Sequence, residues 1–267
     1  MLKTIFERKS VRTFDGRGLE AEDLRKLEEF AKDIETPFDI PYEIRFLEAV
    51  KYGLKSPVLQ GEKIYAAGKT EVVPYADVSF GYVFEKFVLY ALSLGIGTVW
   101  IAGTMNRDAF EDAMELKDNE AMPCVTPLGY PAKRSIRETL MRKGVKADSR
   151  IDTSKLFFEN TFGNPVSEDI SSDMKECLET VRWAPSAVNK QPWRVVICHD
   201  LIHFYEHHDK GYLHPNGMDL QKIDLGIAIC HMDLALDEKE IPHKIIMEDP
   251  GLEIPDDTEY IASFRLI

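Results

Sequence analysis

The sequence predicts an α+β fold in which central sheets are flanked by helices. The first observation is a strongly apolar helical segment at residues 77–94, with short strand-like segments on both sides. The second is that long connections separate these segments, so that strands and helices do not alternate as they do in a βαβ protein. The third is an internal repeat, which predicts two similar halves about a pseudo-twofold axis. We therefore expect an internally duplicated pseudo-dimer within one chain.

Composition and charge limit the class of protein. The chain has 267 residues, of which 44% are hydrophobic, and a formal net charge of −13. The length allows one large or two small domains, and the acidic balance argues against general binding to nucleic acid. No apolar run reaches the ~18 to 20 residues of a membrane span, and the start lacks a secretory signal. The 4 scattered cysteines predict free thiols in a reducing compartment, so we expect a cytoplasmic protein.

A basic cluster opens the chain. Arg8, Lys9 and Arg12 lie close together, with Ser10 between them. Arginine offers paired donors to phosphate oxygens, so in an acidic chain this cluster predicts a phosphate clamp. The alternative is a solvated basic end of a helix. Apolar residues at helical spacing then predict an amphipathic helix over residues 20–33.

The next stretch predicts short strands around the long apolar helix. Helices are predicted at residues 77–94 and 107–115, and strands at residues 44–50, 64–67, 71–73, 98–102 and 121–128. Gly95 and Gly97 provide a stop for the apolar helix. After Pro131 the chain predicts an extended connector over the fold, whose basic residues are Lys133, Arg134, Arg137, Arg142, Lys143, Lys146 and Arg150.

The remaining chain repeats this mixture with fewer elements. Strands are predicted at residues 195–197, 244–247 and 260–266, and helices at residues 168–181, 199–208 and 224–236. His203 and His207 have the i, i+4 spacing that zinc enzymes use on a helix. Because no glutamate follows the first histidine and no third ligand is evident, the prediction is a solvated helix face and no metal site. No pair of nucleophile and base is present either, so no catalytic side chain is predicted.

The loop at residues 184–193 carries a cluster of polar side chains between a helix and a buried strand. Its sequence is Ala-Pro-Ser-Ala-Val-Asn-Lys-Gln-Pro-Trp. Ser186, Asn189 and Gln191 can both donate and accept hydrogen bonds, which suits the edge of a heterocycle or a phosphate. Prolines at both ends restrict the backbone. The alternative is an ordinary connection between a helix and a strand.

Two separate matches support the internal repeat. Residues 12–24 align with residues 160–170, and residues 77–81 align with residues 224–228, both at an offset near 147. This predicts a first half at residues 1–150 and a shorter second half at residues 151–267, which form one compact unit. The basic cluster exists only in the first half and the polar loop only in the second. If a site is built from both halves, one of its two copies would therefore have all its ligand residues and the other would have none.

These motifs resemble the flavin-dependent nitroreductase family. The first is Arg8-Lys9-Ser10-Val11-Arg12, the second is the polar loop from Pro185 to Trp193, and the others are Gly95-Ile96-Gly97-Thr98 and Leu128-Gly129-Tyr130-Pro131. Members of that family are normally homodimers that bind two FMN at the subunit interface. This chain is similar to the fused, single-chain variant of the family with one site retained. The resemblance implies a nitroreductase-like fold and a monomer that acts as a pseudo-dimer.

The resemblance also implies which residues hold FMN. Arg8, Lys9, Ser10 and Arg12 correspond to the ligands of the phosphate and ribityl chain. Ala102 and Gly103 match the place where a backbone amide faces the isoalloxazine N5. Arg150 matches a late basic phosphate ligand, with Lys133 or Arg134 as alternatives. The second half would contribute Pro185, Ser186, Ala187, Asn189 and Gln191.

The implied activity is electron transfer from NAD(P)H to an oxidised small molecule such as a nitroaromatic or a quinone. In the family, the nicotinamide donor and the acceptor use the same pocket over the flavin. This agrees with the absence of a Gly-x-Gly-x-x-Gly dinucleotide motif from the sequence. The alternative is a non-catalytic FMN binder that stores or senses flavin.

Overall fold

Two sheets and a central pair of long helices make up the fold, which the computed structural model describes for residues 2–213 and 218–267. The first sheet is antiparallel, and its strands are β1 (Tyr42–Glu48), β2 (Ile64–Glu71), β3 (Glu120–Ala121) and β4 (Val125–Leu128). Strand β2 pairs with β1 on one side and with both β3 and β4 on the other. The helices of this part are α1 (Leu2–Glu7), α2 (Ala21–Lys32), α3 (Ala49–Tyr52), α4 (Ala76–Ser93) and α5 (Arg107–Met114).

The second sheet has the order β5-β6-β7-β9-β8. Its strands are β5 (Phe157–Glu159), β6 (Trp193–Cys198), β7 (Leu201–His207), β8 (His243–Ile246) and β9 (Thr258–Leu266). Strand β5 runs parallel to β6, and all other pairs are antiparallel. The helices are α6 (Ile136–Gly144), α7 (Ser172–Arg182) and α8 (Leu220–Glu238), with short 3₁₀ turns at Thr153–Lys155 and Ala187–Asn189.

Helices α4 and α8 cross at two glycines. A Cβ added to Gly81 would lie 2.1 Å from the carbonyl oxygen of Ile223, and one added to Gly226 would lie 2.0 Å from that of Val78. The two backbones can approach this closely only because both residues lack a side chain. The contact is reciprocal, since an offset of 145 residues converts Val78 into Ile223 and Gly81 into Gly226. At the crossing, the structural offset is therefore two residues shorter than the offset read from the sequence.

One hydrophobic core spans both parts of the chain. Helix α4 is buried almost all round, as its apolar sequence predicts, and Phe84, Phe87 and Leu89 are fully buried within it. The same core cluster includes Phe204 of β7 and Phe264 of β9. The largest cluster of buried residues therefore lies around the helix pair and reaches both sheets, and two smaller clusters pack separately beside the first and the second sheet. Of the described helices, none is both long and apolar enough to cross a membrane.

The predicted helix at residues 199–208 is wrong, because these residues form a turn and strand β7. His199 has a positive φ of 54°, and Cys198 pairs directly with Leu201 across the resulting two-residue hairpin turn. His203 is therefore buried in a sheet, where its Nδ1 lies 2.6 Å from the hydroxyl of Ser263. The histidines of this segment do not form a solvated helix face.

The basic connector after Pro131 is helical over α6, not extended throughout. Ser135 caps this helix, because its hydroxyl accepts a hydrogen bond from the Glu138 amide at 3.1 Å. The predicted strand at residues 98–102 makes only isolated bridges, from Thr98 to Ser10 and from Ile101 to Val125. The predicted strand at residues 121–128 is interrupted between β3 and β4, and both pieces pair with β2.

Candidate functional site

A cavity of about 400 Å³ lies between the segment that follows α1, the turn at residues 99–104 and the loop at residues 183–189. Its size is within the usual range for a small-molecule site. The residues of the N-terminal basic cluster and those of the polar loop, far apart in sequence, line this same cavity. All predicted site residues except Gln191 line it: Arg8, Lys9, Ser10, Arg12, Ala102, Gly103, Arg150, Pro185, Ser186, Ala187 and Asn189.

Four arginines from three segments line this cavity. They are Arg8 and Arg12 after α1, Arg142 on α6, and Arg150 in the turn that follows α6. Each has a buried Nε without a hydrogen-bond partner among residues 2–213 and 218–267. Arg8 Nη1 is also buried and also lacks a partner there. Buried guanidinium groups with unused donors are costly unless an anion pairs with them. The cavity is therefore built to receive negative charge.

The electrostatics of these arginines support this description. Burial and the charges of neighbouring arginines lower the pKa of Arg8 and of Arg12, although Glu85 and Glu138 respectively oppose the shift. Burial, with Arg8 and then Arg182 as the next causes, lowers the pKa of Arg150 to about 10. The lowered pKa values mean that burial destabilises the charged guanidinium groups more than the nearby carboxylates stabilise them. An anion in the cavity would remove this imbalance.

A buried carboxylate stands behind Arg8. Glu85 of α4 is fully buried, and its carboxylate lies 3.8 Å from Arg8 Nε. The other Glu85 oxygen accepts a hydrogen bond from the Trp100 indole at 2.9 Å, which orients one wall of the cavity. His231 Nε2 lies 3.0 Å from Glu85, while its Nδ1 faces the Thr180 carbonyl at 2.8 Å. Both ring nitrogens of His231 therefore face acceptor oxygens, and the imidazole bridges Glu85 of α4 and Thr180 of α7.

The polar loop is pinned by its own hydrogen bonds. The Asn189 side-chain amide donates to two backbone carbonyls of the turn before Arg150, at 2.9 and 3.1 Å. The Ser186 hydroxyl accepts from the Gln191 amide at 2.9 Å. Val188, Asn189 and Gln191 have positive φ angles of 44°, 61° and 52°. Such a cluster, which includes a β-branched residue, is backbone strain of the kind that accumulates at binding sites.

Gln191 lies behind the cavity and does not line it. Its side chain is buried, and its carbonyl accepts a hydrogen bond from the Ile151 amide at 3.0 Å. Its amide donates to the Asn189 carbonyl at 3.3 Å. The sequence placed its polar side chain in the site, but the positive φ of Gln191 turns that side chain towards the chain that follows Arg150. Gln191 thus supports the loop.

Asp224 lines the cavity and was not singled out from the sequence. Both of its carboxylate oxygens accept from the Ala187 amide, at 3.1 and 2.9 Å, which joins α8 to the polar loop. Burial raises its pKa well above the usual value, although the Ala187 hydrogen bond opposes this shift. An acidic residue within the apolar helix pattern at residues 224–236 was the available signal.

Arg107 holds the turn that carries Ala102 and Gly103. From the first position of α5, its guanidinium donates to the Ala102 carbonyl at 2.5 Å and to the Met122 carbonyl at 2.8 Å. A Cβ added to Gly103 would meet nothing within 4 Å, so this part of the wall is open. The turn therefore offers backbone to the cavity in a position that a charged side chain fixes from behind.

Arg142 is the cavity arginine that sequence analysis missed as a ligand. It was noted only as part of the basic connector, yet its side chain is 8% exposed and pairs with Asp148. The Ser-x-x-Glu pattern at Ser135 and Glu138 predicts the start of a helix but does not indicate which of its faces meets the cavity. The alternatives to Arg150, namely Lys133 and Arg134, do not line the cavity.

Comparisons with known proteins identify relatives of this chain. A family model described as "Putative TM nitroreductase" matches residues 1–236. A crystal structure of a Thermotoga maritima MSB8 protein with a similar description has 19% sequence identity and a TM-score of 0.64, and the match covers 99% of this chain and 93% of that chain. This likeness confirms the predicted nitroreductase-like fold of mixed helix and sheet. A search of curated proteins finds no match.

Other solved structures match smaller parts of the chain. A nitroreductase with bound FMN from Bacteroides fragilis NCTC 9343 is 19% identical over 51% of this chain and 90% of its own, with a TM-score of 0.41. A nitroreductase family protein from Clostridium difficile 630 is 18% identical over 64% of this chain and 99% of its own, with a TM-score of 0.45.

Proposed function

Because the chain belongs to the nitroreductase family whose model matches residues 1–236, we propose that it is an FMN-dependent oxidoreductase. In this proposal, reducing equivalents pass from NAD(P)H to a small oxidised acceptor such as a nitroaromatic or a quinone. The observation that carries the proposal is a set of arginines around one cavity whose buried N–H groups have no hydrogen-bond partner within the described ranges 2–213 and 218–267: Arg8, Arg12, Arg142 and Arg150. Family membership supports the general class of oxidoreductase.

The arginines fit the phosphate of FMN. A phosphate carries up to two negative charges and several strong acceptor oxygens, and guanidinium groups can bind it with two donors each. Arg8 cannot turn to another anion, because its side chain is 8% exposed and Glu85 is already paired with His231. A ligand that brings its own phosphate would use these donors and relieve the desolvation of the arginines. Ser10 and Lys9 lie beside them on the cavity wall.

The other walls fit the planar ring system. Phe6, Trp100, Trp183 and Ile227 contribute apolar surface, while Ser186 and Asp224 contribute polar groups. Such a combination buries a flat heterocycle and fixes its orientation through a few hydrogen bonds. When bound, the flavin would supply the hydride chemistry that the protein side chains lack. The chain would hold and orient it, and Asp224 would place a polar carboxyl group on the wall beside it.

We further propose that the chain is a fused dimer with one FMN site, built from residues 1–150 and 151–267. The reciprocal contact of Gly81 and Gly226 supports this, because a twofold axis between two equal subunits produces such contacts. The counterpart of the site would lie beside Tyr82, which an offset of 145 residues relates to Ile227. A second cavity does lie there, but four carboxylates line it against two basic side chains, Lys86 and His243; the carboxylates are those of Glu35, Asp233, Asp237 and Glu240. Such an acidic site would repel phosphate, so only one FMN would bind.

The experiment compares FMN with riboflavin, which lacks the phosphate. Apoprotein would be titrated with each by fluorescence, for the parent and for Arg12→Ala. We expect the parent to prefer FMN, and Arg12→Ala to weaken FMN binding by about 1 to 3 kcal/mol while riboflavin binding stays unchanged. The matched control is Arg25→Ala, an exposed arginine paired with Glu29 on α2, which should leave both affinities unchanged.

Turnover separates an enzyme from a flavin store. NADH and NADPH oxidation would be followed with a quinone and with a nitroaromatic acceptor. A chain that binds FMN with phosphate preference but oxidises neither donor would be a non-catalytic flavin binder. Equal affinity of the parent for FMN and riboflavin would refute the assignment of the arginines.

A further inference from the structure

A second polar cluster lies at the N-terminal end of α8. It comprises Glu206 at the end of β7, His208 just after that strand, and Asp219 just before the helix. One ligand atom from each residue lies within 4.8 Å of those from the other two. The flavin cavity does not include any of these three residues. We call them the Glu206 cluster.

The burial of the Glu206 carboxylate requires an explanation. It is 0% exposed. Neither of its carboxylate oxygens has an aligned hydrogen-bond donor in the part of the chain that the structure describes. One oxygen lies 2.8 Å from His208 Nδ1, so the imidazole is the basic group that faces this carboxylate. A buried carboxylate without hydrogen bonds is costly unless a cation compensates it.

The second nitrogen of His208 extends the pattern. Its Nε2 lies 3.4 Å from a carboxylate oxygen of Glu259 on β9. Histidines that bind a metal through one ring nitrogen usually donate the other N–H to a carboxylate, which fixes the tautomer and increases basicity. His208 thus has a buried carboxylate at one nitrogen and an outer carboxylate at the other. Its ring is 41% exposed, which gives an ion a route from solvent.

The charges in and around the Glu206 cluster also do not balance. Glu206, Asp219 and Glu259 supply three carboxylates, and Lys222 supplies a cation that pairs with Glu259 at 3.1 Å. Apart from the imidazole, these groups therefore carry two net negative charges when all three carboxylates are ionised. A divalent cation would neutralise them. Asp219 already caps α8 through one oxygen, which accepts from the Gln221 amide at 2.9 Å, so its other oxygen is the one that would face the ion.

We propose that Glu206, His208 and Asp219 bind a divalent metal ion of the zinc class, with water completing the coordination. Ion-to-ligand distances of about 2.0 to 2.2 Å separate ligands on one ion by roughly 3 to 4.4 Å. The ligand atoms of these three residues lie within 4.8 Å of one another, so small side-chain rotations would bring them to this spacing. Imidazole nitrogen favours Zn²⁺ over Mg²⁺, which prefers an all-oxygen shell. The site is independent of FMN and of the proposed redox activity.

The test is a calorimetric titration of the chelator-treated full chain with Zn²⁺. We expect one tight site per chain, with binding at least about tenfold weaker in His208→Asn and in Glu206→Gln. His207→Asn is the matched control, because His207 is the adjacent residue and pairs with Asp257 outside the cluster. It should bind Zn²⁺ as the parent does, and Mg²⁺ should not compete.

Thermal unfolding gives a second readout that does not depend on flavin. Zn²⁺ should raise the Tm of the parent and of His207→Asn, because an ion that binds only the folded state stabilises it. It should not raise that of His208→Asn, whose exposed side chain makes misfolding a poor explanation. Absence of a tight site in the parent would overturn the proposal. Equal weakening by the His207 and His208 variants would do so too, because it would indicate general surface binding.

Discussion

The contact between α4 and α8 allows a prediction whose magnitude follows from the structure. In Gly226→Ala, the new Cβ would lie 2.0 Å from the Val78 carbonyl oxygen, whereas ordinary contact begins at 3.4 Å, so the helices must separate by about 1.4 Å. The neighbour is backbone, and no side-chain rotation relieves the overlap. Overpacking of this kind costs about 1 to 3 kcal/mol and occasionally more. The better helix propensity of alanine offsets about 1 kcal/mol at most.

We therefore expect Gly226→Ala to lower the free energy of unfolding by about 2 kcal/mol or more, measured by urea denaturation. Gly81→Ala should lose a similar amount, because its Cβ would lie 2.1 Å from the Ile223 carbonyl oxygen. The control is Gly144→Ala at the end of α6, where a Cβ meets nothing within 4 Å. If Gly226→Ala is as stable as the parent, the close helix crossing does not exist. If only one of the two glycine variants is destabilised, the reciprocal contact is wrong.

Two further predictions concern the polar loop and a buried ion pair. Asn189→Leu should weaken FMN binding by about 1 to 3 kcal/mol, because it removes the hydrogen bonds that hold the turn before Arg150. The control Asn164→Leu, outside the cavity, should not weaken FMN binding. Unchanged affinity of Asn189→Leu in a fluorescence titration would contradict this prediction. The hydrogen bond to Asp233 at 3.0 Å raises the pKa of His243 above 6.5, although burial opposes the shift. The stability that the protonated His243 contributes is complete below pH 6.5 and is lost as the pH rises through the raised pKa. In urea titrations, His243→Gln should therefore lose more stability relative to the parent near pH 6 than near pH 9. A difference that does not change with pH would exclude this coupling.

The sequence predicted elements well where one signal dominated. The helix at residues 77–94 is correct within one residue, because its apolar pattern is long and glycines follow it. The segment at residues 199–208 was wrong because buried residues lie on both faces of β7, so the alternation expected of a strand is absent. A two-residue turn at His199 and Asp200, without glycine, gave no hairpin signal.

The candidate site was predictable where its residues form local motifs. Arg8 and Arg12 are close in sequence, and the polar loop is continuous, so both could be found without a structure. Arg142 and Asp224 could not be found in this way, because their places on the cavity depend on the rotation of α6 and α8. Gln191 shows the opposite error, since its residue type fits a ligand site but its positive φ turns the side chain away. The orientation of a side chain is set by backbone angles that residue types alone do not specify.

The most direct test of the central claim is the amount of FMN bound by each chain. Apoprotein would be saturated with FMN and freed of excess, and the flavin released on denaturation would be measured against protein by quantitative amino-acid analysis. The account predicts a ratio near one, because the cavity between the two halves has arginines for the phosphate, whereas its counterpart beside Tyr82 is acidic. A ratio near two would contradict the single shared site, and a ratio near zero would contradict the assignment of FMN itself.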